Sequence, residues 1–235
     1  MNHRMFYNPF NLLFMLVLAV LLTISVAVLF LGLISTAFTK IGFSWSDALL
    51  LLLVSLVGSN VNIPLTNLES STPVVRDRQV RVFGITYTIP TQETIRTHTT
   101  LAVNLGGAII PTLVSLYLMV TFPGTLKFCL AAILLVAVVT NRVAKPVRGV
   151  GIVTPALVPP LVAALGASLL VAAFGAPHEF LFATAYSGGA MGTLLGADLL
   201  NFSKIRDLGA PVASIGGAGT FDGVFLSGII AVLLV

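Results

Sequence analysis

Apolar runs alternate along the chain with breaks that carry charge, proline or glycine, and the runs fall at 11–38, 46–66, 98–121, 126–140, 150–173, 178–202 and 213–235. Most approach the ~20 residues that a helix needs to cross a bilayer core, and the fourth is short. The pattern predicts an all-α integral membrane fold of about seven transmembrane helices in a single domain over 1–235. The first run follows Arg4 and extends well past the ~7–15-residue core of a signal peptide, so it reads as a retained helix. Two runs carry internal breaks. Pro155, Pro159 and Pro160 interrupt the fifth, and Gly216, Gly217 and Gly219 weaken the seventh just before Asp222.

Between the second and third runs, 69–97 is the one substantial loop. Within it, Val80 to Pro90 mixes β-branched and aromatic residues in alternation around Gly84, which predicts a short β-hairpin or edge strand, with a plain surface flap over the helix bundle as the alternative.

Composition excludes a water-soluble fold: 57% of residues are hydrophobic and 9% charged, against roughly 25% charged in soluble domains. Charge then sets the orientation. Seven spans put Arg4, Arg76, Arg78, Arg81, Arg96, Arg142, Lys145, Arg148, Lys204 and Arg206 on the N-terminal side and leave only Lys40 and Lys127 on the other. By the positive-inside rule the N-terminus and the 69–97 loop are cytoplasmic, and the C-terminus lies outside the cell membrane. The net charge of +4 therefore reports topology, and no nucleic-acid partner is expected. Cys129 lies in an apolar run and has no second cysteine to pair with. His3, His98 and His178 are scattered over different segments, so neither a metal nor another cofactor is expected.

An ionisable side chain inside a membrane helix costs at least ~2.5–3.5 kcal/mol on insertion scales and so demands a reason. Asp198 in the sixth run and Asp222 in the seventh both qualify. Their neighbours follow a pattern, because alternate spans run in opposite directions. Asn60, Asn62, Thr66, Asn104, Thr154, Pro155, Asp198 and Asn201 all fall in the cytoplasmic half, with Gly217, Gly219 and Thr220 beside Asp222. A polar cavity opening to the cytoplasm is expected there, lined by spans two, three, five, six and seven. Spans one and four carry little that is polar and read as lipid-facing scaffold. Gly188, Gly192 and Gly196 repeat every four residues, a spacing that lets membrane helices approach closely. Counted along the helices, Asp198 lies ~10 Å and Asp222 ~13 Å below the interface, depths that allow contact. The alternative for Asp198 is a helix-end carboxylate paired with Lys204 or Arg206.

Two resemblances rest on these residues. Through Asn104-Leu105-Gly106-Gly107-Ala108, Gly196-Ala197-Asp198-Leu199-Leu200-Asn201 and Gly216 to Gly223, most of the chain resembles an uncharacterised prokaryotic integral membrane family, domain of unknown function 1614, which implies no activity. Locally, Asp198, the Gly217-Ala218-Gly219 stretch with Asp222, and Pro155-Ala156-Leu157 are similar to the motifs of presenilin-type intramembrane aspartyl proteases. Asp222 stands three residues beyond Gly219 instead of next to it, and Pro-Ala-Leu precedes the aspartates instead of following them. That resemblance implies a catalytic pair, Asp198 and Asp222, acting on a transmembrane substrate helix. An ion- or proton-coupled transporter with Asp222 as coupling site, and a non-catalytic membrane partner, stay open beside it.

The topology is directly testable. Reporter fusions within 70–95 should give a cytoplasmic signal and a fusion at Val235 an external one; a cytoplasmic signal at Val235 would overturn the span count.

Overall fold

The computed structural model describes residues 12–82, 85–147, 151–205, 211–217 and 223–235, with the backbone alone over 69–97 and at Ile205. It is mostly helical with a small sheet. Helix α1 (Leu12–Ile41) is apolar until Lys40, and its hydroxyls turn back onto its own backbone, as in Thr23 Oγ1 to Ala19 O at 2.8 Å and Ser25 Oγ to Leu21 O at 2.8 Å. Only its last two turns pack, through Ile34, Ala37, Phe38 and Ile41; the remainder is exposed leucine, valine and phenylalanine. Helix α2 (Trp45–Gly58) starts where Ser44 accepts the Asp47 N–H and donates to its carboxylate at 2.6 Å, an N-terminal cap built from two side chains.

After α2 the chain departs from expectation. The run 46–66 stays helical only to Gly58, then enters strand β1 (Asn62–Val82), which pairs antiparallel with β2 (Ile85–Asn104). The run 98–121 likewise begins as strand. Pro64 offers no N–H and cannot continue the helix, and a register shift between Pro64 and Thr66 absorbs it. The hairpin therefore begins at Asn62↔Asn104 and takes in the described residues of the 69–97 loop, far more than the short element expected around 80–89. Serine, threonine and proline in its flanks read as loop, while Leu101, Ala102 and Val103 read as helix, because a short apolar run has no period of its own.

From Asn104 one π-helical turn (Leu105–Ile109) leads into α3 (Ile110–Thr121). A 3₁₀ turn at Pro123–Thr125 then starts α4 (Leu126–Val143). The small hairpin β3 (Lys145–Val147) and β4 (Gly151–Val153) precedes α5 (Val158–Ala173). Pro159 and Pro160 do not break α5 as expected. They occupy its first turn, where the missing N–H groups would have had no partner, and the break lies upstream at 154–157. Helix α6 (Glu179–Thr193) passes through a second π-helical turn (Leu194–Asp198) and a 3₁₀ turn (Leu199–Asn201) into α7 (Phe202–Ile205). Strand β5 (Val212–Ile215) joins β2 in parallel, Thr100↔Val212 to Val103↔Ile215, and α8 (Gly223–Leu234) closes the chain.

Among the described residues two helices, Leu12–Ile41 and Pro123–Val143, are long and apolar enough to cross a membrane; Trp45–Gly58, Leu105–Thr121, Val158–Ala173 and Gly223–Leu234 are apolar but shorter. The bundle closes on α6. A Cβ built on Gly188 would lie 2.9 Å from Ala132 Cβ, on Gly192 2.6 Å from Val136 Cβ, and on Gly196 2.8 Å from Thr140 Cβ, so the four-residue glycine repeat is the seam between α6 and α4. On the other side Gly189 meets the Ser227 carbonyl and Gly228 meets Tyr186, joining α6 to α8. Phe38, Tyr186 and Phe225 fill the core where α1, α6 and α8 meet.

One expectation about scaffold is thereby corrected. Helix α4 does not simply face lipid, because Phe128, Cys129, Ala132, Ile133, Val136, Ala137 and Thr140 are buried, several of them against the α6 glycines. Gly192→Ala should thus destabilise the protein in detergent by about 1–3 kcal/mol, as for an overpacked core position, and lower its thermal midpoint accordingly. Gly32→Ala, which meets open space, should not. Equal tolerance at the two sites, read by fluorescence-detected unfolding, would show that the seam is not a contact.

Candidate functional site

The site forms where strands hand over to helices. Asn104 ends β2 and is fully buried, and its side chain serves three backbone breaks together. Its Nδ2 donates to Ser59 O at the end of α2 (2.7 Å) and to Asn62 Oδ1 at the start of β1 (3.0 Å), while its Oδ1 accepts the Gly107 N–H of the first π turn (2.7 Å). The Asn62 Oδ1 also accepts Ser214 Oγ from β5 at 2.6 Å. A buried amide with its hydrogen bonds made is rigid and costly to remove.

Packing carries the network to Asp198. Gly106 sits against the Ser55 carbonyl, and Ser55 Oγ returns a 2.7 Å bond to Gly106 O, so α2 and the first π turn touch backbone to backbone. Gly216, just beyond β5, lies on Ala108 with φ +80, a conformation and closeness that exclude a side chain; Gly217 follows with φ +90. The Gly216 N–H donates to Asp198 Oδ2 at 2.7 Å. Asp198 is half-buried as the last residue of the second π turn. Such turns leave backbone carbonyls off the regular ladder. Two amides collect one of them here, since Gly196 O accepts from Asn201 Nδ2 at 3.1 Å and from Asn141 Nδ2 at 3.3 Å. Asn201 Oδ1 in turn accepts Lys204 Nζ at 2.7 Å. Below the polar layer, Leu101, Ala108 and Ile215 make a small apolar core with Ile152 of β4 and Leu194 against it.

Asn62, Asn104, Asp198 and Asn201 therefore gather at one end of the bundle. Asn60 does not join them; it is exposed and its amide returns to Leu56 O and Val57 O of α2. Thr66 is exposed on β1. Thr154 is half-buried and Pro155, Ala156 and Leu157 are exposed on the turn into α5, and among the described residues no hydrogen bond ties them to the network. Gly219, Thr220 and Asp222 lie outside the described residues, as do Arg206 and the Phe83-Gly84 tip. Sequence reading overlooked Ser55, Ser59, Ser214 and Asn141. Ser214 carried a signal, since Val212 to Ile215 is a short β-prone run ending at two glycines. No group of three or more His, Cys, Asp and Glu suited to a metal ion exists among the described residues.

The model of the family described as protein of unknown function, DUF1614, matches residues 56–234, and the chain belongs to that family. The match covers the hairpin, both π turns and α8, and omits α1. No curated protein and no solved structure matches the chain.

Asn104 is the residue on which this arrangement is most exposed to test. Asn104→Ala strands the Ser59 carbonyl and the Gly107 N–H, a loss of roughly 2–4 kcal/mol. Unfolding in detergent should show it, and Asn60→Ala, outside the network, should unfold like wild type.

Proposed function

We propose that this is a polytopic membrane protein, N-terminus inside, which acts as an intramembrane aspartyl protease through Asp198 and Asp222. The observation that carries the reading is the 2.7 Å hydrogen bond from Gly216 N to Asp198 Oδ2. It ties the carboxylate of one span to the glycine break that leads, six residues on, to the other acid. Strand β5 adds to this support. Among the described residues it pairs only with β2, which leaves its outer edge open for an extended segment to pair by backbone hydrogen bonds. A substrate helix must unwind before its peptide bonds can be attacked, and a strand edge beside a carboxylate meets that need. In this reading the ionised aspartate takes a proton from water as the water oxygen attacks the scissile carbonyl carbon. The protonated aspartate then gives its proton to the amide nitrogen as the C–N bond breaks.

The membrane reading is supported by α1 and α4, and by the large apolar side chains that face outward on α2, α3 and α5. Helices too short to span alone are continued by strands and π turns whose polar groups pair within the protein, the condition for irregular backbone at membrane depth.

A second reading, an ion- or proton-coupled transporter, is favoured by one specific feature. Thr100 to Val103 leading to Gly106-Gly107, and Val212 to Ile215 leading to Gly216-Gly217, are two strand–glycine units, and their strands lie parallel and in register. Broken, repeated spans of this kind line transport sites.

The two readings place different demands on the same acids. For a protease, Asp198→Asn and Asp222→Asn should each abolish cleavage of a co-expressed single-span substrate while the protein stays folded. For a transporter, Asp222→Asn alone should disable function and no fragment should appear with any version. Absence of cleavage by wild type, together with full function in Asp198→Asn, would dismiss the catalytic pair.

A further inference from the structure

We propose that the cleft between the α3–α4 turn and the α5–α6 turn binds an anionic phospholipid, its phosphate on Lys127 and an acyl chain along the exposed leucines of α4. This goes beyond the proteolytic reading and rests only on the membrane-spanning one. The cleft has a volume of about 530 Å³, and its walls include Gly124, Lys127, Phe128, Phe174 and Phe180. It lies at the end of the bundle opposite Asp198, where short turns instead of strands join the helices. Phe128 meets Phe174 edge-on, ring centroids 6.0 Å apart, and Phe180 at a tilt, 6.1 Å apart, and the Lys127 ammonium stands 5.0 Å from the Phe128 centroid.

Charge decides the ligand. Lys127 is exposed and, among the described residues, no carboxylate lies within ion-pair distance of it. Lys40, the other lysine at this end, does not line the cleft: its Nζ donates to Val232 O at 3.4 Å and stands 5.5 Å from the Phe182 ring. The cleft therefore offers one unmatched positive charge in an apolar, aromatic wall. That combination fits a phosphate carried on a hydrocarbon better than a free anion, which would gain nothing from the rings. The hydrocarbon has a track. Leu126, Leu130, Leu134 and Val138 are exposed at four-residue spacing on one face of α4, and the first of them lines the cleft. At ~1.5 Å per residue the stripe descends about 18 Å, close to one leaflet of a ~30 Å core.

Native mass spectrometry of the full-length, delipidated protein tests this with phosphatidylglycerol and phosphatidylcholine as probes. Wild type should prefer phosphatidylglycerol by about tenfold, the scale of one charge-assisted contact. Lys127→Gln should remove the preference, Lys127→Arg should keep it, and Phe174→Ala should weaken both lipids. Lys40→Gln should leave the preference intact. The proposal is overturned if Lys127→Gln binds like wild type or if Lys40→Gln loses as much. It is equally overturned if millimolar inorganic phosphate displaces the lipid, or if the face instead joins two copies of the chain irrespective of lipid. None of these readouts depends on proteolysis.

Discussion

A helix satisfies its own backbone, and wherever one stops inside an apolar structure its last carbonyls and first N–H groups need other partners. This chain stops helices at Gly58, at the Asn104 junction and around Asp198, all at one end. Asn104 is how the problem is met. One buried amide closes the end of α2, the start of β1 and the first π turn, and Asn62 passes the connection to β5. The position of β5, the glycines after it and the approach of Gly216 to Asp198 all follow from that anchor.

The two ends of the bundle are built on different principles. At the end holding Lys40 and Lys127, turns of a few residues join successive helices, and ring contacts such as Phe43 with Tyr117 and Phe128 with Phe180 tie them to their neighbours. At the other, strands replace turns and both π-helical segments occur. The glycine seam between α6 and α4 links the ends, holding the axis of α6 fixed along the length from Gly188 to Gly196. With its upper part clamped, α6 carries Asp198 into the strand layer at a set depth and direction.

Asp198 illustrates how a polar group near a helix end can be read two ways until its partner is seen. Lys204, one of the two cations expected to neutralise it, is bonded to Asn201, and Arg206, the other, lies outside the described residues. A carboxylate oxygen meets the Gly216 N–H at the end of β5. The contact stabilises a left-handed glycine that would otherwise be a weak point, and it couples any change at Asp198 to the segment that follows β5. Either proteolysis or ion coupling would draw on that linkage.

The sequence by itself determined the apolar runs, the four-residue glycine spacing and the clustering of Asn62, Asn104, Asp198 and Asn201 toward one end, because these follow from composition and from the reversal of direction at each break. It placed a strand around 80–89 but not its extent. Pro64 is a local signal against helix in Val61 to Thr66, but whether His98 to Asn104 continue a helix or leave it is not encoded locally, since short apolar stretches suit both states. Pairing of Asn62 with Asn104, 42 residues apart, decides it. The burial of α4, the role of Ser214 and the contact of Gly216 with Asp198 were likewise fixed only by tertiary structure. Each depends on a group from a distant segment arriving at hydrogen-bonding or van der Waals distance, and no spacing along the chain records that arrival.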